Sequence, residues 1–240
     1  MTTMSSSASS EPQDTYLTPR MRLRFTRGKR FIGLTQKAYV SEVMEAIRRA
    51  EVPVAMGSGT PPRPRLTTGL SLPMGYTSQC EYVDVELLPP NAMPPMTTAT
   101  FVGRLRDCLP EDIELRSARR IPPRTPHIRG SVCDVCYTIR GIFDPARAAA
   151  FRTCASWLVE QERKGKTRKL DLKQCVLGLE IHSETLRIKL AVRPTGTPKP
   201  EEILMSVFAT PKAALGGYSI ERTAMRLAPA PYPQTLIREL

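Results

Sequence analysis

Two cysteines have a spacing that could bind a metal ion. Cys133 and Cys136 form a C-x-x-C sequence, and thiolates at this spacing ligate zinc or an iron–sulfur cluster. The segment alternates like a β-strand, which would send the two side chains to opposite faces, and no second C-x-x-C pair or nearby histidine completes a ligand set. We therefore predict no metal site and no cofactor, and we expect Cys133 to pack in the core.

A short loop could bind phosphate instead. Residues 57–65 read GSGTPPRPR, which places Arg63 and Arg65 among closely spaced prolines. Glycines let a backbone approach a ligand closely, and prolines hold a chain extended, so both arginines would lose little entropy on binding. The backbone of this candidate loop site consists of Gly57, Gly59, Pro62 and Pro64. The alternative is a rigid crossover whose arginines are simply solvated.

The charge of the chain favours an anionic partner. Its formal net charge is +12, with 26 arginines and nine lysines, and arginine matches phosphate oxygens better than lysine does. The charge is also segregated: residues 20–65 contain eleven basic and three acidic residues, and residues 116–130 contain five basic and none acidic. Segregation of this kind is typical of a surface that binds a polyanion. We predict phosphate contacts by Arg22, Arg24, Arg30, Arg63 and Arg65.

The carboxylates and histidines do not form a recognisable catalytic set. Asp84 and Glu86 would share one exposed strand face beside Arg22 and Arg24, where cross-strand ion pairing is the simplest role. The chain has no Walker loop, no dinucleotide-binding fingerprint and no nucleophile elbow. An enzyme is therefore the least favoured class.

The periodicity of apolar residues predicts the elements that position these side chains. A strand over residues 21–25 is followed by a helix capped by Thr35, whose apolar stripe would be Val40, Val43, Met44 and Ile47. Strands over 66–72 and 81–88, a helix from 101 to Pro110 and a strand over 113–121 complete a βαββαβ order.

The second half repeats this order. We predict a strand over 132–143, a helix over 145–163, strands near 175–182 and 186–192, a helix over 200–209 and a strand over 218–227. The fold class is thus α+β, with two tandem ferredoxin-like units and mostly antiparallel sheets. The units would span 19–125 and 126–229, between a disordered tail at 1–18 and a second tail at 230–240.

Composition also predicts the compartment. No apolar run reaches the length of about 18 residues that a membrane span requires, and the first residues lack the basic and apolar regions of a secretory signal. Without export, six cysteines are expected as reduced thiols. We predict a cytoplasmic protein that does not bind membranes.

The ordered motifs of residues 20–125 resemble the bacterial radical SAM-linked protein family, whose members are fused to, or encoded beside, radical SAM proteins. The matching sequences are RLRF at 22–25, AIRRA at 46–50, PRPR at 62–65, LPxG at 72–75 and EYxDxE at 81–86. The resemblance implies an accessory module with a radical SAM protein as partner, serving an enzyme whose substrate is RNA. The family has no established activity.

The chain departs from this family in one four-residue segment and at one further residue. Thr35, Gln36, Lys37 and Ala38 stand where members commonly have a Ser-His-Leu-Asp-like sequence, and Pro61 replaces an asparagine. A general base and its carboxylate would be lost, which favours binding over catalysis. The first hypothesis is a non-catalytic RNA-binding accessory module. The alternatives are an adaptor that docks an acidic protein without nucleic acid, and a cryptic enzyme that processes or modifies RNA.

Overall fold

The first half of the chain folds in the predicted βαββαβ order. The computed structural model describes residues 19–89, 91–92, 96–122, 124–163, 165–194 and 196–229, so both predicted tails lie outside the described residues. Thr35 caps the first helix as predicted, because its Oγ1 accepts a hydrogen bond from the Ala38 amide at 3.2 Å. The elements are β1 (Arg20–Arg27), α1 (Gln36–Arg49), β2 (Leu66–Thr68), β3 (Tyr76–Glu86), α2 (Thr98–Cys108) and β4 (Leu115–Ile121).

The second half contains more elements than the sequence predicts. They are α3 (Ile128–Ser131), β5 (Val132–Arg140), α4 (Pro145–Thr153), β6 (Leu158–Arg163), β7 (Lys166–Asp171), α5 (Leu172–Cys175), β8 (Val176–His182), β9 (Thr185–Ala191), α6 (Pro200–Val207) and β10 (Ser219–Leu227). No helix among the described residues is long and apolar enough to cross a bilayer.

The helix predicted over residues 145–163 is wrong in its second part. Helix α4 ends at Thr153, and the chain then forms the β6–β7 hairpin, in which Leu158 pairs with Asp171. Gly165 lies between the two strands with a φ of 71°, a conformation that glycine adopts without strain. Val159 packs against the core of the second half. The side chains of this segment therefore follow the period of two of a strand and not the period of 3.6 of a helix.

Two predicted strand boundaries also move. Strand β2 ends at Thr68 and not at residue 72, because the following backbone turns away to give the carbonyl of Leu70 to the Arg222 guanidinium at 2.9 Å. Strand β3 begins at Tyr76 and not at residue 81. Its early part pairs with β10, a partner from the other end of the chain that local sequence does not reveal.

Eight of the ten strands form one large, mostly antiparallel sheet. Its order is β4-β1-β3-β10-β5-β9-β8, and β2 also pairs with β3. Among the described strands only β3 and β10 pair in parallel, through Ile220 with Tyr76 and Arg222 with Ser78. This pairing joins the two halves into one mixed α+β sheet.

The four longer helices, α1, α2, α4 and α6, cover one face of this sheet. In the first half, Tyr39 and Val43 of α1 pack on Leu23 and Phe25 of β1, and α2 contributes to the same cluster. In the second half, α4 and α6 pack on a cluster that includes β5 and β10. Glu81 lies opposite Phe25 in the register and also contacts Arg222 of β10, so both cores lie on the same face.

A buried charge cluster lies between the two cores. The side chains of Arg27 and Arg222 are fully buried, and Glu81 is 3% exposed. Arg222 forms an ion pair with Glu81, while Nη1 of Arg27 donates to Oε1 of Gln36 at 3.1 Å and its Nη2 to the Phe31 carbonyl at 2.9 Å. The Nε atoms of both arginines have no hydrogen-bond partner. Glu81 also attracts Arg27 electrostatically without a direct ion pair, so one carboxylate compensates two buried guanidinium groups.

Replacing Glu81 by glutamine should destabilise the protein strongly. The change keeps the shape but leaves two buried cations uncompensated, so we expect a loss of about 3–5 kcal/mol in the free energy of unfolding, measured by urea denaturation. Glu42→Gln, at an exposed position of α1, is the matched control and should change stability by less than about 0.5 kcal/mol. Equal unfolding midpoints for both variants would show that Glu81 does not hold the cluster.

Candidate anion-binding groove

The sequence predicts that Arg22 contacts phosphate, but the structure buries its side chain against Asp84. Arg22 is 7% exposed, and its Nε and Nη2 donate to the Asp84 carboxylate at 2.6 and 2.8 Å. The predicted cross-strand ion pair is therefore confirmed, but both of its side chains are buried. Residues 125 and 126 lie over the pair, with the Thr125 carbonyl accepting from Arg20 and that of Pro126 from Arg22.

The other predicted arginines lie in separate surroundings. Arg24 is half-buried and its Nε donates to the Gln79 carbonyl at 3.0 Å. Arg65 is exposed, with its Nη1 at 3.7 Å from a carboxylate oxygen of Glu86. Arg30 is exposed within the 3₁₀ turn Lys29–Phe31 that follows β1. Only Arg63 lines a groove, so the predicted set does not form one continuous site.

The loop over residues 57–65 is closed and not extended. The Gly57 amide donates to the Arg63 carbonyl at 2.8 Å, and Met56 pairs with Pro64 as in a short hairpin. Pro64 is buried and anchors the loop, while Pro62 is exposed.

The two glycines of this loop are not required by its geometry. Neither has a positive φ. A Cβ at Gly57 or Gly59 would lie 3.6 or 3.5 Å from the nearest atom, which is ordinary contact. The loop positions Arg63 through its hydrogen bonds and not through glycine.

The groove beside Arg63 has a volume of about 670 Å³ and runs between α1 and β2. One wall is the exposed side of α1, where Lys37, Val40, Ser41 and Met44 recur at the spacing of one helical face. The predicted apolar stripe of α1 included Val40 and Met44. The structure instead buries Tyr39 and Ala46 with Val43 and Ile47, which leaves Val40 and Met44 half-buried in the groove.

The opposite wall combines three segments. Strand β2 contributes Leu66, Thr67 and Thr68, and α3 with the residue before it contributes Arg129 and His127. The outer edge of β2 pairs with no strand in the described part of the chain. The groove is therefore bounded by a helix on one side and by a free strand edge on the other.

The groove is strongly cationic. Lys37, Arg63 and Arg129 are exposed on its rim, and none has an ion pair or side-chain hydrogen bond to another described residue. No carboxylate is among the described residues that line it. Unpaired cations around a concave surface attract anions, and the field is strongest where no acid neutralises it.

Both walls are attached to the buried charge cluster. Gln36 begins α1 and accepts from Arg27, and its Oε1 also accepts from the Leu72 amide at 3.2 Å. On the other side, Arg222 holds the carbonyls of Leu70 and Ser71, and Ser71 lines the groove. The cluster therefore fixes the distance between the walls.

Sequence reasoning missed most of the residues in this site. Lys37 and Gln36 lie where the departure from the family motif suggested only a loss of chemistry. Arg129 belongs to the wholly basic stretch over residues 116–130, which was a usable signal, but nothing in the sequence placed it beside α1.

The C-x-x-C pair lies in β5, as the predicted strand requires. Cys133 is half-buried outside the core cluster, which takes Val132 and Val135 instead, so the prediction that Cys133 packs in the core is wrong. Among the described residues, no group of three or more histidine, cysteine, aspartate or glutamate side chains could hold a metal ion.

Replacing Asp84 by alanine should destabilise the protein. Arg22 would then lie buried without its carboxylate, which costs about 3–5 kcal/mol in the free energy of unfolding, measured in urea. The double variant Arg22→Leu with Asp84→Leu removes the charges of this pair but keeps Arg20, whose Nη1 lies 3.7 Å from a carboxylate oxygen of Asp84. It should still lose less than Asp84→Ala alone, which leaves both arginines without this carboxylate. A stable Asp84→Ala variant would contradict the buried ion pair.

Comparison with known proteins identifies the family of this chain but no activity. No curated protein matches it. A crystal structure of an unknown protein from Galdieria sulphuraria is 13% identical, and the match covers 88% of this chain and 99% of that chain with a TM-score of 0.25. A family model described as an uncharacterized protein conserved in bacteria matches residues 20–200. The chain therefore belongs to this uncharacterised bacterial family, DUF2344.

Proposed function

We propose that this chain is a non-catalytic RNA-binding module, and that the groove between α1 and β2 docks the sugar-phosphate backbone. The observation that carries the proposal is the group of three unpaired cations, Lys37, Arg63 and Arg129, around a groove without a carboxylate among its described lining residues. Phosphate contacts supply most of the affinity of proteins that bind nucleic acid without strict sequence preference. A net charge of +12 adds long-range attraction.

Of the five predicted arginines, Arg63 lines the groove. We propose it as a phosphate ligand together with Lys37 and Arg129. Arg24, Arg30 and Arg65 are secondary candidates, because each retains exposed surface. Arg22 is left out, because its guanidinium already has two hydrogen bonds to Asp84.

We also propose that the two halves are tandem ferredoxin-like units. Each half has two long helices and four main strands, and the strand order is β4-β1-β3-β2 in the first and β10-β5-β9-β8 in the second. Numbered within each half, both orders are 4-1-3-2. In the first unit, the linker covers the part of the opposite sheet face that carries Arg20 and Arg22. The binding site that we propose lies at the sheet edge.

The composition of the groove supports binding over catalysis. His127 is its only imidazole among the described residues, and its Nδ1 lies 3.5 Å from a cationic nitrogen of Arg20 instead of a carboxylate. Burial raises the pKa of Cys80 to about 11, so this thiol stays protonated at neutral pH and is a poor nucleophile. A general base with an orienting acid is not assembled in the described lining.

An adaptor for an acidic protein is the second candidate. The free outer edge of β2 favours it, because an extended peptide can add to an unpaired strand edge. We propose a radical SAM enzyme as the protein that this module serves, on the strength of the motif resemblance alone. All six cysteines are free thiols, which supports a cytoplasmic setting for both candidates.

Salt dependence and charge removal test RNA binding. Affinity for a short single-stranded RNA should fall as salt rises from about 50 to about 200 mM, with a slope of about 0.7 in the log–log plot for each phosphate contact. Three single variants, Lys37→Ala, Arg63→Ala and Arg129→Ala, should each weaken binding, as measured by fluorescence anisotropy. Each should also lower that slope by about 0.7, the contribution of one phosphate contact.

Arg152→Ala is the control, because it removes one exposed charge from α4 outside the groove. It should leave the affinity close to that of the unchanged protein. Polyglutamate serves as competitor. If polyglutamate binds in the groove and RNA does not, the adaptor is correct; if all four variants weaken RNA binding equally, the groove is not the site.

A further inference from the structure

We infer that Gln36 gives the groove a subsite for one unpaired base of single-stranded RNA, in which its amide N–H₂ donates a hydrogen bond to an acceptor atom on the base. This inference rests on the proposed RNA-binding function and adds the class of RNA. It concerns recognition of the base, whereas Lys37, Arg63 and Arg129 contact phosphate irrespective of the base.

The orientation of the Gln36 amide is fixed by its neighbours. Its Oε1 atom accepts from Nη1 of Arg27 at 3.1 Å and from the backbone amide of Leu72 at 3.2 Å. Both partners can only donate, so a flipped amide would place N–H groups against two donors. The carbonyl end of the side chain therefore faces the protein interior.

The other end of the same amide faces the groove. Gln36 is half-buried and lines the groove, and its Nε2 atom forms no hydrogen bond with any described residue. Nε2 is also not among the buried polar atoms that lack a partner. A donor pair that is accessible, oriented and unused is suited to recognise a polar atom on a ligand.

The surface around this donor suits the flat face of a base. Gln36, Val40 and Met44 are each four residues apart, so they lie in one row along α1. Leu66 faces them from β2 and is half-buried. An apolar floor beside one oriented donor, with cations on the rim, matches a nucleotide whose base enters while its phosphates stay outside.

This arrangement selects unpaired RNA. In a duplex the base edges are used in pairing and the bases remain stacked, so a single base cannot enter a groove of this kind. Arg27 acts here as a positioning residue, because it touches Gln36 and not the RNA.

The test compares two short probes of equal length and charge, an oligouridylate and an abasic ribose-phosphate chain. Uracil presents two carbonyl oxygens that can accept from Gln36. The unchanged protein should bind the oligouridylate about tenfold more tightly than the abasic chain. A duplex of oligouridylate and oligoadenylate with the same total number of phosphates should lose this advantage. The readout is the ratio of the two dissociation constants.

Gln36→Glu is the decisive variant. Glutamate still accepts from Arg27 and Leu72, so the fold is kept, but it replaces the donor with an acceptor. Its negative charge weakens the phosphate contacts of both probes, whereas loss of the donor affects only the probe with bases. The ratio should therefore fall several-fold if the donor recognises the base, with the remainder contributed by the apolar floor. Gln174→Ala, at an exposed position of α5, is the control and should leave the ratio unchanged.

The outcomes separate this inference from the proposed function. If the unchanged protein binds both probes equally, or if Gln36→Glu keeps the tenfold ratio, the base subsite is refuted while RNA binding stands. If neither probe binds at low salt, the proposed function fails and the subsite fails with it.

Discussion

The architecture depends on two buried guanidinium groups that share one carboxylate. Arg27 comes from β1, Glu81 from β3 and Arg222 from β10, so the cluster connects both halves of the chain. Burial lowers the pKa of Arg27 and raises the pKa of the adjacent Tyr39, so this tyrosine remains a neutral donor, bonded to the Thr26 carbonyl at 2.9 Å. Desolvating such charges costs several kcal/mol per ion, which is recovered only when their geometry is maintained.

The same cluster links fold and site. Its hydrogen bonds continue through Gln36 into one wall of the groove and through the carbonyls of Leu70 and Ser71 into the other. A groove made of loops would have to be ordered at the moment of binding, at a cost in entropy. Here its walls are already held by buried groups that cannot relax without exposing an uncompensated charge.

The sequence predicted the local elements well and their long-range pairing poorly. Alternation in β1 correctly separated Leu23 and Phe25 from Arg22 and Arg24, because a period of two identifies residues that share a face. The alternation does not show that Thr125 and Pro126, about a hundred residues later in the chain, lie over Arg20 and Arg22. Arg22 was therefore predicted on the surface and lies inside.

The site was less predictable than the fold for a related reason. The predicted apolar stripe of α1 is correct at Val43 and Ile47, but the structure buries Tyr39 and Ala46 and leaves Val40 and Met44 lining the groove. The composition of the proline-rich loop predicts an extended chain, but its shape follows from the hydrogen bond between the Gly57 amide and the Arg63 carbonyl, which composition does not encode.

The central position of β10 constrains how the protein is made. This strand is the last described element of the chain, yet it lies between β3 and β5 in the middle of the sheet. During synthesis the other described strands of both halves leave the ribosome before β10, the strand that unites them. Until it arrives, Glu81 lacks Arg222 and the edges of β3 and β5 stand open, so the nascent chain passes through a stage in which chaperone binding or mispairing competes with completion.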